Sequence, residues 1–414
     1  MKAALSVWWD CKIAGALRLD KHGDMSFAYD PTWLADASAA PLSASLPKQT
    51  ETFNRRACRP FFAGLLPEEG QREAVARALG LSRGNDFALL CALGGDVAGA
   101  LILWPEGEAP PMFAEQSAPE PLGDNALVAM LDELPTRPFL AGKDGLRISL
   151  AGAQSKIPVV LVNRAIALPA PGQPTTHILK PPIERFPGTT ENEAFAMALA
   201  ADVGLCVAPA EARVVSDRRF LLVTRYDRAL NANARVARLH QEDFCQALGL
   251  APEHKYAAEG GPTFKTSFDL LRRIATRPAV EVLKLLDASI FNLIIGNADA
   301  HGKNFSLLYG ADGATLAPLY DLLSTVAYPE LSPKLAMKIA KCAALEEIDD
   351  STWPKFADDA GLASPFVRKR VKELAAAVAD ATLPVSEKIA MPGLSEADIA
   401  RVAKMVSTRA ERLR

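Results

Sequence analysis

The sequence predicts an α+β protein of two lobes: a β-rich N-terminal lobe with an extra small N-terminal subdomain, and an all-helical C-terminal lobe. Three observations lead there. Short strand-like runs intermix with helical ones up to residue 226. A proline-rich stretch separates the first hundred residues from the rest of the chain, and beyond residue 227 the apolar pattern lengthens into long helices. On this reading residues 1–104 form the subdomain, 105–124 a Pro/Glu-rich linker, 125–226 the β-rich lobe and 227–414 the helical lobe. With 414 residues, 49% of them hydrophobic, the chain is long enough for several cores.

In order along the chain, "LSVWWD", "MSFAYD" and "GALILW" read as strands and "EEGQREAVARALGL" as a helix. The stretch "FALLCALGGDVAGALILW" is interrupted by Asp96 and three glycines, so it reads as a buried helix, turn and strand and not as a membrane span. The linker "PEGEAPPMFAEQSAPEP" holds five prolines in seventeen residues and no apolar period. A short helix from residue 125 leads into the loop "AGKDGLRISLAGAQSK", then strands "IPVVLVN" and "HILKP". The helix "TENEAFAMALAADVGL" has apolar positions at Phe195, Leu199 and Val203 and a glycine stop at Gly204. Strands "EARVVS" and "RFLLVTRY" come next, and "AVEVLKLLDASIFNLIIG", apolar on most faces, reads as a central buried helix.

Composition excludes several functional classes. A net charge of −3 gives no global attraction to nucleic acid or to an acidic membrane. The six cysteines (Cys11, Cys58, Cys91, Cys206, Cys245, Cys342) lie far apart without a CxxC pair, which fits a reducing compartment better than a disulfide framework or a zinc ribbon. The N-terminal "MKAALSVWWDCKIAG" carries Asp10 and alternates like a strand, unlike a signal peptide. A soluble cytoplasmic protein is the expectation. The mildly basic C-terminal "RVAKMVSTRAERLR" reads as a solvated helix face, with a DNA-backbone contact as the alternative.

The chemistry concentrates in "IIGNADAHGKNFSLLYG". Phosphoryl transfer needs a carboxylate to orient the attacking hydroxyl, ligands for Mg²⁺ and a cation on the donor phosphates. Asp299 and Asn304 have the Asp-x-x-x-x-Asn separation that supplies base and metal ligand in protein kinases, and "FSLLYGADGATLAPLYD" can form the hairpin that brings a second carboxylate, Asp321, to the metal. The bland alternative is a polar turn with a helix-capping Asp. Upstream, Lys180 at a strand end and Glu193 on the next helix stand in the order of a phosphate-binding lysine and the glutamate that holds it, although alone both are ordinary surface residues. The loop "SLAGAQSK" has side chains short enough for backbone N–H groups to approach phosphates, yet it is neither GxGxxG nor a Walker A sequence. This order predicts a protein-kinase-like two-lobed fold with ATP and Mg²⁺ as cofactors. A metallohydrolase built on His301, Asp299 and Asp321 is the competing reading, weakened by a total of five histidines and the lack of HExxH. No Gly-x-Ser-x-Gly or Rossmann fingerprint occurs.

The chain resembles the HipA-like toxins, serine/threonine kinases of bacterial type II toxin–antitoxin modules. "LLCALGGDVAGAL", "RISLAGAQSK", "THILKP", "ENEAF", "RYDR", "QEDFCQALG", "KYAAEGGP", "GNADAHGKNFSLL" and "LYDLLS" carry the resemblance, in the family's order and over nearly the whole chain. It implies that Asp299 is the catalytic base, that Asn304 and Asp321 are Mg²⁺ ligands, and that Lys180 binds the ATP phosphates. Ala151, Gly152, Ala153, Gln154, Ser155 and Lys156 would form the phosphate loop. Thr224, Arg225 and Tyr226 would lie under the adenine, and His301, Gly302 and Lys303 along the nucleotide beside Asn304. Ser149 occupies the position that family kinases autophosphorylate, which ejects the loop and switches the enzyme off. Ser155 stands where the best-known members carry an acidic residue. The resemblance also implies a helix-turn-helix antitoxin (HipB-like) that links the chain to operator DNA. The implied substrate is an aminoacyl-tRNA synthetase, glutamyl-tRNA synthetase foremost. A small-molecule kinase of the same fold and a non-catalytic corepressor remain the alternatives.

Overall fold

The computed structural model describes residues 4–111, 118–142, 146–231, 235–310 and 313–414. Parts of the linker, of the loop before Arg147 and of the "GADG" turn therefore lie outside the described residues. The chain divides into two compact units. The first comprises 1–181, 225–253 and 308–310; the second comprises 182–224, 254–307 and 311–414.

In the first unit, strands Ala4–Trp9, Lys12–Leu19, Met25–Tyr29 and Leu101–Pro105 form one antiparallel sheet, with Ala4–Trp9 between Lys12–Leu19 and Leu101–Pro105. Alternate residues Leu5, Val7, Leu17 and Phe27 face a core completed by Phe61, Phe62, Leu89 and Leu90 from helices Arg55–Gly64 and Asp86–Leu93. Both helices start on an asparagine whose side chain accepts a backbone N–H of the first turn, Asn54 from Ala57 and Asn85 from Ala88. The turn expected inside "FALLCALGGDVAGALILW" is therefore present, between Leu93 and Leu101. A second antiparallel set pairs Ile157–Val162 with Ala165–Ala167 on one side and His177–Lys180 on the other. The end of the linker is docked on this set: Leu122 donates to the Ile166 carbonyl at 2.8 Å.

In the second unit, helices Thr189–Asp202, Phe264–Ile274, Pro278–Ile295, Thr352–Ala360, Ser364–Ile389 and Glu396–Leu413 pack on one another. Phe195, Phe268, Phe291, Phe356, Val378 and Val402 are fully enclosed or nearly so. Pro278 opens the central helix at its first turn, where a missing N–H costs nothing, and the helix is buried along most of its length, as its apolar pattern required.

The all-helical expectation for residues 227–414 needs correction. Besides Ser306–Gly310 and Gly313–Leu316, which fall where a hairpin was expected, short strands Arg228–Leu230, Val236–Arg238, His240–Asp243, Lys334–Ile339 and Cys342–Ala344 interrupt the helices. Runs of three to six residues bounded by turns carry little periodic signal, so a window tuned to helices passes over them.

Candidate functional site

In the second unit, Asp299 stands on a loop fixed from several directions. The central helix ends at Gly296, whose φ of +74° closes the last turn through bonds to Asn292 and Leu293 carbonyls. A Cβ there would lie 2.5 Å from Val326 Cγ2, so both the backbone and the space call for glycine. Asn297 Nδ2 donates to Asn292 Oδ1 at 2.8 Å, and Asn297 Oδ1 accepts the Asp299 N–H at 3.1 Å. Thr325 Oγ1 accepts Ala298 N–H at 2.8 Å and donates to the Gly296 carbonyl at 3.1 Å, while the Ala298 carbonyl accepts Ala336 N–H at 2.8 Å. Asp299 itself is exposed, and the Tyr256 hydroxyl donates to its Oδ1 at 3.1 Å.

Downstream, the Asn304 side chain closes the turn by accepting His301 N–H on Oδ1 at 3.1 Å. Its Nδ2 donates to Asp321 Oδ2 at 2.9 Å, so the two residues expected to hold a metal touch across seventeen positions of chain. His301 and Lys303 are largely buried, and the Lys303 carbonyl accepts from Tyr320 OH at 2.6 Å. Ala317 N–H returns to the Ser306 carbonyl at 2.8 Å, which folds the chain back before Asp321. Leu319 is bridged to Val207 through bonds to Cys206 and Ala208, and Ser324 bonds Asn192 in both directions, so the segment carrying Asp321 is anchored on both flanks. Asp321 has φ +58°, a left-handed backbone that Asp tolerates better than most side chains and that concentrates at functional positions.

This donor set suits a hard cation. Carboxylate and amide oxygens are the ligands Mg²⁺ prefers, and two protein ligands leave positions for phosphate oxygens and water. Among the described residues no group of three or more His, Cys, Asp and Glu side chains is placed to hold a metal, so the metallohydrolase reading gains no support. Glu193 and Thr224 belong to this unit as well, Glu193 nearly buried on helix Thr189–Asp202 and Thr224 ending strand Arg218–Thr224.

The other candidates lie in the first unit. Lys180 is the last residue of its strand and mostly buried. Ala151, Gly152, Ala153, Gln154, Ser155 and Lys156 lead directly into strand Ile157–Val162. Gly152 adopts φ +111°, and a Cβ there would lie 2.6 Å from Lys156 Nζ. Lys156 Nζ donates to the Ala151 carbonyl at 2.8 Å, Gln154 to the Pro181 carbonyl at 3.3 Å, and the Gly152 carbonyl accepts Glu68 N–H at 3.2 Å. Ser149 is fully buried; its hydroxyl donates to the Leu65 carbonyl at 2.7 Å and its N–H to the Asp96 carbonyl at 3.0 Å.

Arg225 and Tyr226 enter a network that sequence reasoning missed. Asp96, Asp227, Arg225 and Arg228 are almost completely enclosed, and Arg238 nearly so. Arg225 bonds Asp227 Oδ1 and Oδ2 at 2.9 and 2.8 Å and Asp96 Oδ2 at 3.2 Å; Arg228 and Arg238 each reach Asp96 Oδ1 at 3.0 Å. Burial pushes the Asp96 carboxyl up, but the guanidiniums of Arg228, Arg238 and Arg225 outweigh it and hold the group well below the usual carboxylate range. Burial lowers Arg228 to about 10, with repulsion from Arg225 adding to it. The Arg225 side chain is committed to this network, so only its main chain can face a ligand. The Tyr226 hydroxyl donates to the Gln241 side chain. "GGDVAG" and "RYDR" were both visible in the sequence, but 129 positions separate Asp96 from Arg225, and nothing local pairs them.

Residues 148–382 match the family described as HipA-like C-terminal domain, and residues 5–104 the HipA N-terminal domain. Over 414 residues the chain is 59% identical to Y4mE of Sinorhizobium fredii, named as a candidate kinase, covering 99% of this chain and 98% of that one. It is 32% identical over 337 residues to the serine/threonine-protein kinase toxin HipA of Shewanella oneidensis, covering 78% and 76% of the two chains. A solved structure of the Shewanella oneidensis toxin–antitoxin system HipA, HipB and its operator DNA superposes with a TM-score of 0.86 at 28% identity, covering 99% and 97%. That likeness agrees with the two-lobed, kinase-like α+β fold. The chain belongs to the HipA-like family.

Proposed function

We propose that the protein is an ATP- and Mg²⁺-dependent serine/threonine protein kinase, acting as the toxin of a type II toxin–antitoxin module. The observation that carries this reading is the Asn304–Asp321 contact at 2.9 Å with Asp299 five positions before Asn304 on the same anchored turn. Such an arrangement provides a base beside a hard-cation site, which is most of what phosphoryl transfer asks of a protein. In this reading Asn304 and Asp321 hold Mg²⁺, which when bound neutralises charge on the transferred phosphate. Asp299 orients and deprotonates the attacking hydroxyl. Lys180 and the loop 151–156 receive the nucleotide phosphates; Thr224 to Tyr226 present main-chain groups to the base, and His301 to Lys303 line the nucleotide.

The partner in this reading is a helix-turn-helix, HipB-like antitoxin that carries the kinase to operator DNA. The Shewanella oneidensis complex of HipA, HipB and operator DNA supports it. The substrate is an aminoacyl-tRNA synthetase such as glutamyl-tRNA synthetase, and the setting is the cytoplasm. Among the described residues no helix is long and apolar enough to cross a membrane. Ser149 serves as the off-switch. Its burial means that phosphorylation requires the segment to leave its seat, after which up to about two negative charges would oppose return to the Leu65 carbonyl.

The test is transfer of labelled γ-phosphate to glutamyl-tRNA synthetase, with and without Mg²⁺, by the wild type and by Asp299→Asn. Metal-dependent labelling that falls by about 10²–10⁴ in the variant supports the reading. Labelling of small metabolites but of no protein would shift it to a small-molecule kinase, and tight antitoxin binding without turnover to a corepressor.

A further inference from the structure

We infer that Tyr256 is a positioning residue for the catalytic base, a role that rests on the kinase reading above and adds a residue to its site. The segment 254–261 is a compact turn with little freedom. The Tyr256 carbonyl accepts both Glu259 N–H and Gly261 N–H at 2.9 Å, and the His254 ring bonds the Glu259 carbonyl at 2.8 Å. Gly260 has φ +87°, and a Cβ on Gly261 would lie 2.3 Å from the His254 carbonyl oxygen and 2.7 Å from that of Tyr256. This turn is tied to the catalytic loop by Gly302 N–H on the Lys255 carbonyl at 3.3 Å. The Tyr256 ring meets the His301 ring edge-on, centroids 5.4 Å apart at 78°. From that fixed ring the hydroxyl donates to Asp299 Oδ1 at 3.1 Å. A donor on one oxygen sets the plane of the carboxylate, and with it the direction in which Oδ2 meets the substrate hydroxyl. Asp299 is exposed and sits on a loop, where a fixed donor on Oδ1 keeps the carboxylate in one orientation toward the substrate hydroxyl.

Steady-state ADP release and phosphate transfer to glutamyl-tRNA synthetase are measured for the wild type, Tyr256→Phe, Asp299→Asn and the double variant. Tyr256→Phe removes only the hydroxyl. Its kcat falls about tenfold with KM for ATP and thermal midpoint unchanged, equivalent to about 1.4 kcal/mol in the transition state, close to the lower end of what one hydrogen bond to a charged group contributes. In the Asp299→Asn background the same change has no further effect, because the group it positions is gone. A Tyr256→Phe enzyme with unchanged kcat overturns the inference, as does one with raised kcat, which would make the tyrosine a placeholder for the substrate hydroxyl. Additive losses in the double variant also overturn it. An inactive wild type removes the kinase reading itself, and this inference with it.

Discussion

Replacing Gly296 by alanine tests how tightly the Asp299 loop is built into the second unit. Two costs and one gain can be worked out. A left-handed backbone costs an L-residue about 1–2 kcal/mol, and φ at this position is +74°. The new methyl would lie 2.5 Å from Val326 Cγ2 and 3.2 Å from Arg409 Nε. Carbon–carbon contact is favourable only at about 3.5–4.0 Å, so Val326 has to move by roughly 1 Å, a type of overpacking that costs about 1–3 kcal/mol. Reduced freedom of the unfolded chain returns about 0.4–1 kcal/mol. The net loss is about 1–5 kcal/mol. Val326 N–H donates to the Gly296 carbonyl at 3.2 Å, and the neighbouring Thr325 hydroxyl holds Ala298, so the displacement reaches the residue before Asp299. A misplacement of about 1 Å can cost about 10²-fold in turnover. Urea unfolding and kcat are the assays, with Gly70→Ala as control, since a Cβ on Gly70 meets nothing within 4 Å. If Gly296→Ala unfolds within about 0.5 kcal/mol of wild type and turns over normally, the account of the loop anchor is refuted.

Two further outcomes are expected in the first unit. Asp96→Ala removes the carboxylate that Arg225, Arg228 and Arg238 share, which should lower stability by about 3–5 kcal/mol; a urea midpoint near wild type would contradict the network's role. Glu242 is enclosed, accepts Ala44 N–H at 2.9 Å and bonds the Ser43 and Tyr309 hydroxyls, and burial raises its carboxyl to about 7, above its ordinary 4.5. A raised carboxyl gives stability that is complete below the unfolded value and is lost as pH rises through the folded one. Wild-type stability should therefore fall by about 3 kcal/mol between pH 4.5 and 7 on account of this group. Glu242→Gln should flatten that slope in urea titrations at pH 5 and 8, and an unchanged slope would show that Glu242 is not its source.

What the sequence revealed was mostly local. The spacing of Asp299 and Asn304 is a property of one turn, and the buried helix before it shows in an eighteen-residue stretch in which thirteen residues, Pro278 included, are apolar. Asp321 was reachable because a short fold-back has few ways to close. Tyr256 lies 43 positions before Asp299, and "KYAAEGGP" is legible as a turn from its glycines but not as a partner of Asp299. The same limit hid the enclosure of Arg225. An arginine ending a strand reads as solvated until the fold brings Asp96 to it, and burial of a charge is decided by tertiary contacts that no periodicity encodes. The short strands at 228–243 and 334–344 were missed for another reason, since runs of three to six residues carry a weak local signal.

The most direct test of the central claim is intact-mass spectrometry of the purified chain after incubation with Mg²⁺ and ATP, beside Asp299→Ala and a reaction without metal. The account predicts one added phosphoryl group on the wild type alone, mapping to Ser149 and dependent on Mg²⁺. Equal incorporation in Asp299→Ala, or incorporation independent of metal, would contradict the assignment of Asp299, Asn304 and Asp321 to phosphoryl transfer.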